Sequence, residues 1–267
     1  MKSAIYIIFV VLSLSLLSCE KELDFKYNEI DPILVIEASL SQEGAKVSLT
    51  ETTPMNEPMD RTKVTDAEIT ITDLENNMDF VLAADATGVF SGEVNGIPGH
   101  MYRIKVKRNG EEYESRSLMG SPSEIKSLEF NWIKMPYDHV AVLKVAFTDD
   151  VSKQGDCYWL RIYKNGEAYK WVAITDDLSV NGVIEELVMT SRKDLSEEDE
   201  KTALREGDVV SITVAPISRE MCDYLGAISN DSNGPRLFSG PLCLGYFLAA
   251  PLATSSITFE PEKIPYY

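Results

Sequence analysis

Met101-Tyr102-Arg103-Ile104-Lys105-Val106-Lys107-Arg108-Asn109-Gly110-Glu111-Glu112-Tyr113-Glu114-Ser115-Arg116-Ser117 is a pair of alternating runs joined by Asn-Gly. A two-residue type I′ turn needs φ > 0 at both central positions, which Asn and Gly tolerate best. Closure at Asn109-Gly110 predicts Lys107 opposite Glu112, Lys105 opposite Glu114, Val106 opposite Tyr113 and Ile104 opposite Ser115. One face is then charge-paired and wet, and the other is mostly apolar. A one-residue slip would exchange the two faces, so this hairpin has a single sensible register.

Strand signals extend from it in both directions. Ile33 to Leu40, Lys46 to Thr52 and Glu68 to Leu74 are β-branched or alternating runs. Asp85 to Gly88 reads as a turn before Val89 to Gly92, and Pro98-Gly99 as another. Short strands at this spacing predict an immunoglobulin-like β-sandwich over residues 31–120. Ser121-Pro122-Ser123 reads as a linker. Val140 to Phe147, Tyr158 to Tyr163, Ala168 to Ile174, Gly182 to Thr190 and Val209 to Ala215 follow as strands. Two short helices interrupt them, Glu197 to Arg205 behind a capping-box-like Ser196, and Arg219 to Ser229 behind Ser218. The expected fold class is mainly β, with two β domains. The second, residues 121–267, is a sandwich or barrel carrying one or two short helices.

The N-terminus carries a different signal. Lys2 precedes an apolar run, Ala4 to Leu17, which ends at Leu16-Leu17-Ser18-Cys19. The run is shorter than the roughly 20 residues a membrane-spanning helix needs. It reads as a signal peptide, residues 1–18, and its end resembles a bacterial lipobox. Acylated Cys19 would then tether the chain to a membrane through residues 19–30. Several acyl chains on one Cys hold firmly, where one holds marginally. The tether Glu20-Lys21-Glu22-Leu23-Asp24-Phe25-Lys26 resembles the acidic export signals that carry lipoproteins of Bacteroidetes to the outer surface.

The formal net charge is −18, and Lys2 is the only charge within residues 1–18. So acidic a body repels nucleic acid and anionic lipid, so no nucleic-acid partner is expected. Besides Cys19 the chain has Cys157, Cys222 and Cys243. An odd number in an exported protein implies one disulfide and one buried thiol, or no pair at all, and Cys222–Cys243 is the candidate pair.

Nothing in the chain outlines a catalytic centre. GxSxG, HExxH and phosphate-loop motifs are absent. The only histidines, His100 and His139, each follow a turn and read as exposed turn residues. Asp177-Leu178-Ser179-Val180-Asn181-Gly182 places oxygens and Gly as a calcium loop does, but position 12 is Val188 and the flanks are strands. It reads as a turn between strands. A non-catalytic protein without cofactor or metal is expected.

Tyr163-Lys164-Asn165-Gly166-Glu167 repeats the Asn-Gly closure. Its simple register pairs Ile162 with Tyr169 and sets Arg161 across from Lys170. That repulsion calls for an intervening anion. Trp159, Arg161, Tyr163 and Lys170 then form a candidate binding face suited to a glycan or peptide. The structural reading of the same residues is that Trp159 packs in the core and Arg161 pairs with an acid on a neighbouring strand. The Thr53-to-Asp60 loop, with Pro54, Met55, Pro58 and Met59, is a lesser contact candidate.

A family resemblance emerges from the order of several short patterns. These are the lipobox, Ile33 to Ala38, Asp66-Ala67-Glu68-Ile69, Asp85 to Phe90, Pro98 to Tyr102, Asp156-Cys157-Tyr158-Trp159, Asn181-Gly182 and Leu244-Gly245-Tyr246-Phe247. In that order they resemble the Bacteroidetes lipoproteins of domain of unknown function 4249, across about residues 19–250. The resemblance implies an outer-membrane lipoprotein associated with a TonB-dependent receptor, and it implies no chemistry. The expected function is a lipid-anchored, surface-exposed binding or accessory lipoprotein serving a nutrient transporter. A structural or adhesive surface lipoprotein without a small ligand is the alternative.

Overall fold

The computed structural model describes residues 31–53, 62–152, 155–193 and 203–266. Cys19, the signal peptide, the tether through Ile30 and the Pro54-to-Asp60 loop lie outside them. So does most of the first expected helix, and Ala203 to Arg205 at its end carry no helix. The chain divides after Asp31, and the second unit, Pro32–Tyr267, is compact.

The second unit is mainly β. Its first seven strands are β1 (Leu34–Ser41), β2 (Gly44–Glu51), β3 (Glu68–Asp73), β4 (Met78–Ala84), β5 (Val89–Gly92), β6 (Met101–Arg108) and β7 (Glu111–Leu118). After these come β8 (Ile125–Lys134), β9 (His139–Thr148), β10 (Cys157–Lys164), β11 (Glu167–Thr175), β12 (Val183–Arg192) and β13 (Val209–Ile217). Helix α1 (Arg219–Ser229), β14 (Cys243–Ala249) and β15 (Ala253–Thr258) complete it.

The first sheet has eight strands in the order β14-β1-β2-β5-β4-β3-β6-β7. Strand β4 turns the corner within it. Its Ile69-to-Asp73 partners are residues Met78 to Leu82, whereas Ala83 and Ala84 pair with β5. At the opposite margin Glu114 and Ser239 exchange backbone hydrogen bonds, and the Ala249 N–H donates to Ser117 Oγ at 2.9 Å. The sheet thereby comes close to closing as a barrel. Alternation fills it: Ile36, Leu40, Val47, Leu49, Ile69, Ile71, Ile104 and Val106 are all at or near zero exposure in one core. The Asn109-Gly110 hairpin has the expected register at every pair named above, with φ +52° at Asn109 and +81° at Gly110.

The later strands form a sandwich of two sheets, β11-β10-β13-β15 and β12-β9-β8. Leu143, Val145 and Phe147 from one sheet meet Tyr158, Leu160, Ile162, Ile212 and Val214 from the other. Such interdigitated inner faces are what aligned sheet packing requires.

Strand β14, inside the range read as the second domain, belongs to the first sheet. It runs parallel to β1, from Leu34 opposite Cys243 to Leu40 opposite Ala249. Its alternation serves two cores. Phe247 and Ala249 enter the barrel core, while Leu248 and Ala250 join Trp159, Ala215, Met221 and Leu225 in a third cluster under α1. Gly245 allows the approach: its φ is +107°, and a Cβ there would collide with the Ile36 carbonyl.

Candidate functional site

The second Asn-Gly hairpin builds the site. Asn165 (φ +50°) and Gly166 (φ +88°) close β10 on β11. Asn165 is pinned from three sides. Its Nδ2 donates to Asp208 Oδ1 at 2.7 Å, its Oδ1 accepts from the Val209 N–H, and its own N–H donates to the Val209 carbonyl. Lys164 Nζ adds an ion pair to Asp208 Oδ2 at 3.3 Å.

Beyond the turn the register departs from the simple one. Lys164 pairs with Glu167 and Tyr163 with Ala168, but Ile162 pairs with Lys170, leaving Tyr169 as the extra residue of a bulge. Every later residue of β11 is therefore shifted by one. Arg161 lies opposite Trp171, and Lys170 sits on the other face. Lys170 Nζ donates to the Met189 carbonyl at 2.7 Å, and the Tyr169 hydroxyl donates to the Thr190 carbonyl at 3.0 Å. Burial lowers the Lys170 pKa from its ordinary value and pushes Tyr169 up to about 12. The expected Arg161–Lys170 repulsion does not exist, and Lys170 is not part of the binding face.

Trp159 is a core residue, 7% exposed. Its ring meets Tyr246 and Trp171 edge to face, with centroids 5.4 and 6.4 Å away. Arg161 Cζ lies 4.7 Å from the Trp159 centroid, a cation–π distance. The neighbours of Arg161 across β13 and β11 are Thr213 and Trp171, so no cross-strand acid pairs with it. Its Nε is buried and has no hydrogen-bond partner among the described residues.

Arg161 and Tyr163 face a cleft of about 600 Å³ between the outer surface of the β10–β13 sheet and the β1–β2 end of the barrel. Hydroxyls from Ser41, Ser91 and Thr213 and the flank of Leu248 share its lining. Lys46, Glu43 and Glu93, all exposed, lie on the barrel side. A preorganised guanidinium, hydroxyl groups and an apolar flank are the donor set of a site for a polar ligand with an acidic group.

The profile of domain of unknown function 4249 (DUF4249) matches residues 20–253. The chain belongs to the DUF4249 family. No curated protein matches this DUF4249 chain. Among solved structures, "Biofilm associated protein - BSP domain" is similar at 12% identity, over 87% of this chain and 30% of that one, with a TM-score of 0.24. The DUF4249 chain thus spans less than a third of that structure's length.

Other candidate residues of the DUF4249 chain fall elsewhere. Cys222 and Cys243 do not pair, and all three described thiols are free. Cys243 opens β14 and faces the barrel core, where burial pushes its thiol up to about 11. Cys222 lies on α1 against the third cluster, beside Cys157. Short sequence separation thus does not bring them together, because the helix and the strand bury opposite sides of the chain.

His100 is not an exposed turn residue. Its Nδ1 is 2.9 Å from Oδ2 of the buried Asp73. His139 opens β9 and meets Tyr266 edge to face at 5.2 Å. Asp73, Glu75 and His100 bring three ligand atoms within 4.8 Å of one another. These oxygens are already engaged. Asp73 accepts from the N–H groups of Glu75 and Asn76 and from Asn76 Nδ2, and Glu75 accepts from the Met101 N–H. The group is a clamp holding the β3–β4 turn to the start of β6. At the calcium-like segment, Asn181 (φ +53°) and Gly182 (φ +74°) close a turn between Val180 and Val183, as expected of a strand connection.

Proposed function

We propose that the protein is a lipid-anchored envelope lipoprotein that binds rather than catalyses, tethered at Cys19 to the outer membrane and exposed at the cell surface. In this reading it is an accessory to a TonB-dependent receptor, the partnership that the family resemblance implies. Its ligand is a glycan or peptide carrying an acidic group, seated in the cleft against Arg161. One observation carries the binding reading: in a chain of net charge −18, Arg161 faces a 600 Å³ cleft with a buried Nε that no described residue satisfies. Leaving such a donor unpaired costs about 1–3 kcal/mol, and the guanidinium as a whole is the natural partner of a carboxylate in the cleft.

The test is thermal-shift binding of the full chain against matched acidic and neutral oligosaccharides and peptides. Acidic members should raise the melting temperature of the native protein. Arg161→Ala should abolish that rise and leave the unliganded protein folded. Equal responses to acidic and neutral members, or a rise that survives Arg161→Ala, would overturn the assignment. The receptor arm is tested separately by co-purification from native membranes.

A further inference from the structure

The third core cluster brings two thiols together. Cys157 opens β10 and is opposite Ile217, the last residue of β13. Only Ser218 separates Ile217 from α1. The Ser218 side chain caps the helix by accepting from the Met221 N–H at 3.2 Å, and its carbonyl accepts from the Cys222 N–H at 3.0 Å. The first turn of α1 is therefore held directly over the start of β10. Cys157, 1% exposed, and the half-buried Cys222 pack in the same cluster with Trp159, Met221 and Leu225. Burial pushes the Cys157 thiol up to about 12, and the neighbouring Cys222 adds to the rise.

We propose that Cys157 and Cys222 are a disulfide-forming pair, closed by exchange with a small-molecule or protein disulfide, that fastens helix α1 to the β10 edge of the sandwich. Cys222, which solvent reaches, is the entry point. Its thiolate attacks one sulfur of the oxidant, the oxidant's S–S bond breaks, and the departing sulfur takes up a proton. Cys157 then gives its proton to water and attacks Cys222 Sγ. The mixed disulfide breaks, the Cys157–Cys222 bond forms, and the second half of the oxidant leaves as a thiol. Two protein thiols have lost two electrons and two protons, and one oxidant disulfide has become two thiols. The bond closes residues 157–222 into a covalent loop covering β11, β12 and β13. Loops of that size restrict the unfolded chain strongly. Cys243 is excluded, because it faces the barrel core from β14. This pairing does not depend on the cleft or on its ligand.

The experiment equilibrates the full chain with excess oxidised glutathione, quenches it with an alkylating agent under denaturing conditions, and maps the peptides by mass spectrometry. The expected product joins the peptides of Cys157 and Cys222, is lighter than the reduced protein by two hydrogens, and melts several degrees higher. Cys243→Ser should give the same link. Cys157→Ala should stop at the mixed disulfide, with one glutathionyl group retained on Cys222. A Cys222–Cys243 or Cys157–Cys243 link would overturn the proposal. So would alkylation of Cys157, Cys222 and Cys243 alike after equilibration, or a Cys157→Ala variant that carries no glutathionyl group on Cys222.

Discussion

His100 Nδ1 lies 2.9 Å from Asp73 Oδ2, and the Asp73 side chain is only 5% exposed. Burial opposes the Asp73 charge. The hydrogen bonds from His100 and Asn76 outweigh it and hold the carboxyl below its ordinary value. A depressed folded pKa stabilises the fold above the unfolded value, and the contribution is lost as pH falls through the folded one. With an unfolded value near 3.9, the loss should begin at about pH 4 and grow below it. Asp73→Asn should cost about 2–3 kcal/mol at pH 7, since hydrogen bonds to a buried charge are lost. It should also flatten the acid limb of stability against pH. Urea midpoints of both proteins at neutral pH and below about pH 4 check this. Equal acid sensitivity of the two would show that Asp73 does not carry it.

Trp159 and Arg161 share a cation–π contact but occupy different environments. Trp159→Ala removes an aromatic ring from the third core cluster and should cost about 3–5 kcal/mol. Arg161→Ala gives up the contact over the indole, whereas its Nε has no described partner to lose. The lost contact is worth about 1 kcal/mol and the relief of the unsatisfied donor offsets it, so the net change should be close to zero. Denaturant midpoints of the two variants test the contrast. A loss at Arg161 as large as that at Trp159 would mark Arg161 as a structural residue and count against a ligand role.

The two hairpins show what local pattern can and cannot reveal. Asn109-Gly110 and Asn165-Gly166 both close two-residue turns, and the first register follows from its alternating sequence without error. The second differs because Tyr169 is bulged out, and no Gly marks the bulge. Tyr169 and Lys170 gain hydrogen bonds to β12 carbonyls by that shift, a tertiary preference invisible along the strand. The common face of Arg161 and Tyr163 was legible, because it is set by β10 alone. The cleft itself was not, since its other wall comes from Ser41 and Ser91, more than sixty residues earlier in the chain. The parallel pairing of β14 with β1 is likewise a contact across two hundred residues, and only Gly245 hints at it. His100 reads as a turn residue until Asp73 is placed beside it.

That parallel seam should be essential to the barrel. Gly245 has φ +107°, and any side chain there meets the Ile36 carbonyl. Gly245→Ala should destabilise by more than about 3 kcal/mol, combining backbone strain with a broken ladder. By the same logic, residues 31–120 produced alone would leave the β1 edge open and the Phe247 and Ala249 places in the core empty. That fragment should be insoluble or unfolded, because an exposed strand edge beside an incomplete core aggregates. A cooperatively melting, monomeric 31–120 fragment would show that β14 is dispensable.

The proposed anchor gives the last test. If acyl chains on Cys19 are the membrane hold, Cys19→Ala should leave the chain unacylated and move it to the soluble fraction or leave it unprocessed. No helix among the described residues is long and apolar enough to span a bilayer. The acidic body, net charge −18, gains nothing electrostatically from an anionic leaflet. Fractionation after a high-salt wash, with metabolic labelling by a clickable fatty acid, reads both outcomes. Wild-type protein should carry label and stay with the membrane. A processed Cys19→Ala chain that remains membrane-bound after the wash would place the hold elsewhere in the molecule and remove the ground for calling it a lipoprotein.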